Sequence, residues 1–131
     1  MEIEEVLKAY LLTKTGLTAL ISTRILSDDM SGTMPCVVYH KVSDVKETTH
    51  DGKAPVEWPV FQYSSYASTK AAARAISNQL KSALCDYKGT LSGIVVQDIT
   101  LLNEMSSSES AEGGGKYFID DLEFRVVYNK E

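Results

Sequence analysis

Cys36 and His40 stand four positions apart, a spacing that invites a metal reading. In an extended strand both side chains share one face but lie about 13 Å from each other, too far to hold one ion without a bend. His50 sits beside Asp51 in a polar stretch. That pair falls short of the three or four ligands a protein metal site uses. Nucleophilic chemistry has no better support. None of the serines stands in a G-x-S-x-G turn, and neither Cys36 nor Cys85 has an adjacent histidine. Asp120, Asp121 and Glu123 form a carboxylate cluster near the C-terminus. Asp121 and Glu123 share the outward face of a strand, where charges repel unwanted edge pairing. "GGGK" (Gly113–Lys116) lacks the spacing of a phosphate loop, and a strand rather than a helix follows it. The sequence therefore assigns no catalytic, cofactor-binding or metal-binding residue.

What remains is surface chemistry. Lys70, Arg74, Lys81 and Lys88 project within about 40° of one another if the segment is helical. They form a basic stripe opposite an apolar face, with Cys85 on the same side. Such a stripe is either a solvated face or a charged seam against an acidic neighbour, and a second copy of this acidic chain is one such neighbour. Two polar loops are the other candidates for contact. One is Lys46–Pro55, with Lys46, Glu47, His50, Asp51 and Lys53. The other spans 105–116 and is rich in Ser, Glu and Gly, with Ser107, Glu109, Glu112 and Lys116 as its polar contacts. A hairpin needs only two to five loop residues, so this second loop is slack or a device that orders on docking.

The elements that position these residues follow from periodicity. Ile3, Val6, Leu7, Tyr10 and Leu11 make one apolar stripe over residues 2–13, with Glu2, Glu4 and Glu5 at the dipole-favoured first turn. Gly16 ends or interrupts this helix, and Leu17–Ile21 forms a short further turn. Ser27–Pro35 reads as a loop. Cys36–Val45 and Val56–Ala67 read as an antiparallel pair, the second bulged or at an edge where Pro59 cannot donate. Trp58, Phe61, Tyr63 and Tyr66 crowd that second strand. Either some face solvent or another subunit, or a phase shift at Pro59 turns most of them inward. Ser68 or Thr69 caps a long helix, Thr69–Tyr87, with Ala72, Ala73, Ile76, Leu80, Ala83, Leu84 and Tyr87 on its apolar face and Gly89 as its stop. Gly93–Met105 and Lys116–Asn129 are the last two strands. In the latter, Phe118, Leu122, Phe124, Val126 and Tyr128 point one way, with Asp120 as the polar exception in their row. The prediction is one α+β domain over residues 1–131, with element order α-β-β-α-β-β. Its sheet is four-stranded and mainly antiparallel, with two helices packed on one face.

Composition bounds the function. The chain of 131 residues is 44% hydrophobic and 24% charged, as in globular domains. Its two cysteines make no disulfide framework. It has no run of eighteen apolar residues and no visible signal peptide, so it reads as a cytosolic protein with free thiols. A net charge of −5 opposes general nucleic-acid binding.

The arrangement resembles the small tail completion proteins of long-tailed bacteriophages and prophages, also called tail terminator or tail-to-head joining proteins. The resemblance covers most of the chain. It rests on the helix "VLKAYLLTKTGLTALI" and on "MPCVVYHKV", where a Pro leads into the first strand. It rests also on "WPVFQYSSYAS" running into the helix "TKAAARAISNQLKSAL", on "GTLSGIVVQDI" with its Leu91–Gly93 "LSG", and on the closing "FIDDLEFRVVY". It implies a mixed α/β fold and a hexameric ring that caps the tail tube and joins it to the head connector. It implies no enzyme activity, no cofactor and no membrane. The chain would then reside in the virion at the tail–head interface, after assembly in the host cytoplasm. DNA would pass an acidic lumen without specific binding. Another neck component, a head-completion or stopper ring, or a minor tail protein is the nearest alternative; a small enzyme is the more distant one.

Overall fold

The structure, a computed structural model, describes residues 2–27, 34–43, 56–110 and 114–130. Two helices open the chain, α1 (Ile3–Leu12) and α2 (Thr15–Ile21). The predicted stripe of α1 is its buried face: Ile3, Val6, Leu7 and Leu11 are inaccessible, and Tyr10 packs at their edge. Gly16 does not end α1. It lies in the first turn of α2, pressed on the long helix α3 (Lys70–Leu84). A Cβ there would sit 2.5 Å from Gln79 Oε1, the far end of a flexible side chain that can move aside.

Helix α3 begins where the cap chemistry places it. The Thr69 hydroxyl accepts the Ala72 N–H at 3.1 Å. It buries Ala73, Ile76, Leu80, Ala83 and Leu84, as the periodicity predicts, and Ser77 with them. The helix is shorter than the predicted Thr69–Tyr87. Asp86, at φ +60, turns the chain away after Leu84, so Gly89 is not the stop and instead begins a strand.

Seven strands of the described residues form one sheet: β1 (Ile25–Ser27), β2 (Cys36–Ser43), β3 (Val56–Glu57), β4 (Val60–Ala67), β5 (Gly89–Leu91), β6 (Ile94–Ser110) and β7 (Lys116–Lys130). Their order is β1-β2-β4-β7-β6-β5, with β3 also paired to β7. All pairs are antiparallel except β1 with β2. The predicted four-stranded sheet with two helices is thus a seven-stranded mixed sheet with three. The added strands are short. β1 occupies three residues ahead of the loop predicted at Ser27–Pro35, too few to show an alternation. Pro59 divides the predicted Val56–Ala67 strand into β3 and β4, and its carbonyl accepts the Val126 N–H at 2.9 Å. β5 and β6 are joined through Ser92 and Gly93, both at positive φ, a two-residue hairpin turn. That turn is the "LSG" of the sequence.

One core fills the space between the helices and one face of the sheet. Phe61 and Tyr63 of β4, Leu122, Phe124, Val126 and Tyr128 of β7, and Ile94, Val96 and Ile99 of β6 meet the apolar faces of α1, α2 and α3 there. α3 lies across β4 and β7, and the Tyr10 hydroxyl ties α1 to it by donating to the Ala83 carbonyl at 3.0 Å. Two of the four crowded aromatics, Phe61 and Tyr63, point into this core. Tyr66 points to the opposite face, where its ring stands 6.0 Å from that of Tyr117, and Trp58 is half-buried at the break.

The largest departure is at the second polar loop. Most of 105–116 is not loop. Met105–Ser110 continues β6 in register with Lys116–Asp121 of β7, and Gly114 and Gly115, both at positive φ, lead into β7. Residues 111–113 lie outside the described residues. Serine is a poor predictor of strand, but Tyr117, Phe118 and Ile119 opposite these serines are strong strand formers, and cross-strand context overrides intrinsic preference. The result is an arm along the sheet edge, formed by the outer parts of β6 and β7 with β4 paired to β7 as far as Phe118, and its β6 side is exposed at every position from Leu102 to Ser110.

Two substitutions test this packing by urea denaturation. Leu80→Ala truncates a fully buried side chain and is expected to cost about 2–5 kcal/mol. Thr69→Ala removes the cap of α3 and is expected to cost about 1 kcal/mol. A near-neutral Leu80→Ala would contradict the assigned helix face.

Candidate assembly surface

The predicted surface residues fall into three groups. Lys46, Glu47, His50, Asp51, Lys53 and Glu112 lie outside the described residues. Ser107 and Glu109 stand on the outer part of β6, and Lys116 opens β7. Lys70, Arg74 and Lys81 are on α3, while Lys88 follows it.

The basic stripe meets a partner within the chain. Arg74 Nε donates to Asp120 Oδ2 at 3.0 Å, and Ser106 Oγ donates to the other carboxylate oxygen at 2.9 Å. Arg74 also reaches Ser106 Oγ, at 3.4 Å. About two turns further along α3, Lys81 Nζ donates to Glu104 Oε1 at 2.9 Å. The acidic neighbour is therefore β6–β7 of the same molecule, and these two contacts bind α3 to the base of the arm. Asp120, the polar exception among the inward residues of β7, is the hinge of this arrangement. Its side chain is 3% exposed against 47% for Arg74. A carboxylate so enclosed needs its charge met, and the guanidinium and hydroxyl meet it. Lys70 and Lys88 have no ion-pair partner among the described residues.

The face of the sheet away from the helices is concave. Val38, Ser64 and Ile119 lie on it and are buried although no helix covers them. The curl of β2, β4, β7 and the arm encloses a trough of about 480 Å³ above them. Tyr66 and Tyr117 form one wall. His40, Gln62, Glu109 and Asp121 supply polar groups around it. The Tyr117 hydroxyl donates to Glu109 Oε2 at 2.7 Å, and this bond to a carboxylate, with some desolvation, raises the phenol pKa above its ordinary value. Asp121 and Glu123, predicted to lie outward, do share this face, across from Met105 and Asn103.

Neither cysteine is activated as a nucleophile by its surroundings. Cys36 is buried, and burial pushes its thiol pKa up, partly offset by Arg24. Cys85 packs against the core edge, and its pKa is raised by burial and by Asp86. Among the described residues no group of three or more His, Cys, Asp and Glu side chains is placed to hold a metal ion. No helix among them is long and apolar enough to cross a membrane. The sequence missed the arm because its outer strand carries serine in place of alternating apolar residues. The legible signal was on the other strand, in "KYFID".

The comparisons with known proteins agree with this geometry. The sequence matches the family described as Tail completion protein gp17 over residues 5–129. No curated protein matches it. The fold is similar to that of a chain in the virion of a native gene transfer agent particle, with a TM-score of 0.64 at 18% identity, covering 97% of each chain.

The contacts between α3 and the arm give a graded expectation. Arg74→Ala leaves the enclosed Asp120 carboxylate without its cation and is expected to cost about 1–3 kcal/mol in thermal or urea unfolding. Lys81→Ala removes a more exposed pair and is expected to cost under about 1 kcal/mol. Equal and negligible effects would show that α3 does not depend on the arm.

Proposed function

The chain belongs to the tail completion protein gp17 family, and from that premise we propose that it closes the end of a phage tail tube as a hexameric ring and joins it to the head connector. Membership makes it a structural protein of the virion tail rather than an enzyme. The ring, the capping role and the named neighbours are the proposed part. The family match over residues 5–129 carries this reading.

The physical character of the molecule supports it. Its distinctive features are on the outside: an exposed arm, a concave polar sheet face, and Lys70 and Lys88, which have no ion-pair partner among the described residues. Such features suit fitting to other proteins rather than turning over a small molecule. Lys70 and Lys88 take the place of Arg74 and Lys81 as charges available to a neighbouring copy. The polar segment 46–55 and the arm tip are the proposed contacts to the tail tube and the connector. The net charge also fits a DNA conduit. Copies of a chain at −5 make a ring whose field repels phosphates, so DNA passes without adhering.

Particles assembled without this chain provide the test. Electron microscopy is expected to show filled heads without attached tails, together with separate tubes of uncontrolled length. Tails of normal length joined to filled heads would contradict the proposal.

A further inference from the structure

The outer parts of β6 and β7 present two faces, and the charges left over on them differ in sign. On the side toward α3 the row of β7 runs Lys116, Phe118, Asp120, with Ser110, Ser108 and Ser106 across from it. The acids on this side are neutralised within the molecule: Asp120 takes Arg74, and Glu104 takes Lys81. Lys70 and Lys116 are exposed and have no ion-pair partner among the described residues. Lys70 stands with Phe118 and Asp120 around a hollow of about 210 Å³. The uncompensated charge here is positive.

On the concave side the same strand carries Tyr117, Ile119, Asp121 and Glu123. Asp121 lies between Ser64 and Met105, and Glu123 between Gln62 and Asn103, so neither has a cation across the ladder. Both are half-buried, and neither has an ion-pair partner among the described residues. Arg125 follows in the row without pairing to Glu123, and His40 lines the far side of the trough. Glu109 adds a further carboxylate, held by the Tyr117 hydroxyl. Half-buried carboxylates gain from a cation that enters beside them. The uncompensated charge here is negative. Apolar surface accompanies the charge on both faces, exposed Met105 on this one and half-buried Phe118 on the other.

We propose that a second copy of this chain occupies the trough, laying the Lys70 and Lys116 side of its arm against Asp121 and Glu123. The two faces lie on opposite sides of one sheet and are unlike, so the contact is head-to-tail, and its repetition with a closing rotation makes a ring. Two troughs set face to face would oppose carboxylate to carboxylate, and complementarity favours the stacked arrangement. This inference rests on the ring proposed above and names the contact that builds it.

Charge exchange in the full chain tests it. One variant carries Asp121→Lys with Glu123→Lys, and the other Lys70→Glu with Lys116→Glu. Native mass spectrometry and electron microscopy, with and without tail tubes, read assembly, and thermal unfolding reads the fold. Each variant alone is expected to need about a tenfold higher concentration, or more, to form rings. An equimolar mixture is expected to form them at the original concentration, because the two variants then alternate with matched faces. A neutral variant, Asp121→Asn with Glu123→Gln, provides a reading that does not depend on reversed charges. It is expected to unfold like the original chain and to form rings that depend less on salt. Three results would each overturn the contact and leave the ring standing. These are rings from either charge-reversed variant at the original concentration, a mixture of the folded variants that assembles no better than its parts, and an unchanged salt dependence in the neutral variant. Absence of any ring from the unaltered chain, with tubes or without, would overturn the ring and this contact together.

Discussion

One enclosed carboxylate organises this molecule. Asp120 occupies an inward position in the row of β7 that otherwise runs Phe118, Leu122, Phe124, Val126 and Tyr128. A bare charge there would be costly, and Arg74 from α3 and Ser106 from β6 meet it. Three elements distant in sequence are thereby fixed together. The position also marks a boundary. On one side of it lies the apolar core beneath the helices. On the other, β7 stays paired with both β6 and β4 as far as Phe118, and only Glu109–Ser110 and Lys116–Tyr117 run on past the end of β4. The reach of the arm depends on where that core stops.

The arm and the core divide the energetic work. Leu7, Leu11, Leu17, Ile21, Leu80 and Phe124 are wholly enclosed, and burial on this scale supplies the stability of the domain. The β6 side of the arm buries little, and from Leu102 onward each of its residues is exposed. Beyond Phe118 only the pairs Glu109 with Tyr117 and Ser110 with Lys116 lack β4 as a third strand, so the arm is held by the sheet over most of its length and by the Arg74 and Lys81 contacts beside it.

Much of this was legible in the residues. The stripe of α1, the buried face of α3 with its Thr69 cap, and the alternation of β7 with Asp120 as its exception follow from periodicity and cap chemistry, because each spans enough residues to show its period. The family resemblance was legible in the same segments. Short strands were not legible, since Ile25–Ser27 and Gly89–Leu91 carry too few residues for an alternation. The arm was misread as a loop because "SSSES" has no pattern of its own and takes its structure from Tyr117–Ile119 across the ladder. Lys70, Arg74 and Lys81 lie on α3 and Lys88 beyond its end, and the two readings of the stripe, a solvated face or a seam with a second molecule, leave out the partner within the chain that Arg74 and Lys81 have. Periodicity places side chains around a helix axis; it does not say which element lies opposite, and that came from the register of β6 on β7.

The central claim is that this chain acts by fitting its exterior to the end of a tube and to its own copies. Cryo-electron microscopy of purified tail tubes mixed with the full chain tests it most directly. The account predicts added density at one end of each tube, closed around its axis. Density along the tube wall, or tubes with both ends unaltered at saturating protein, would contradict it.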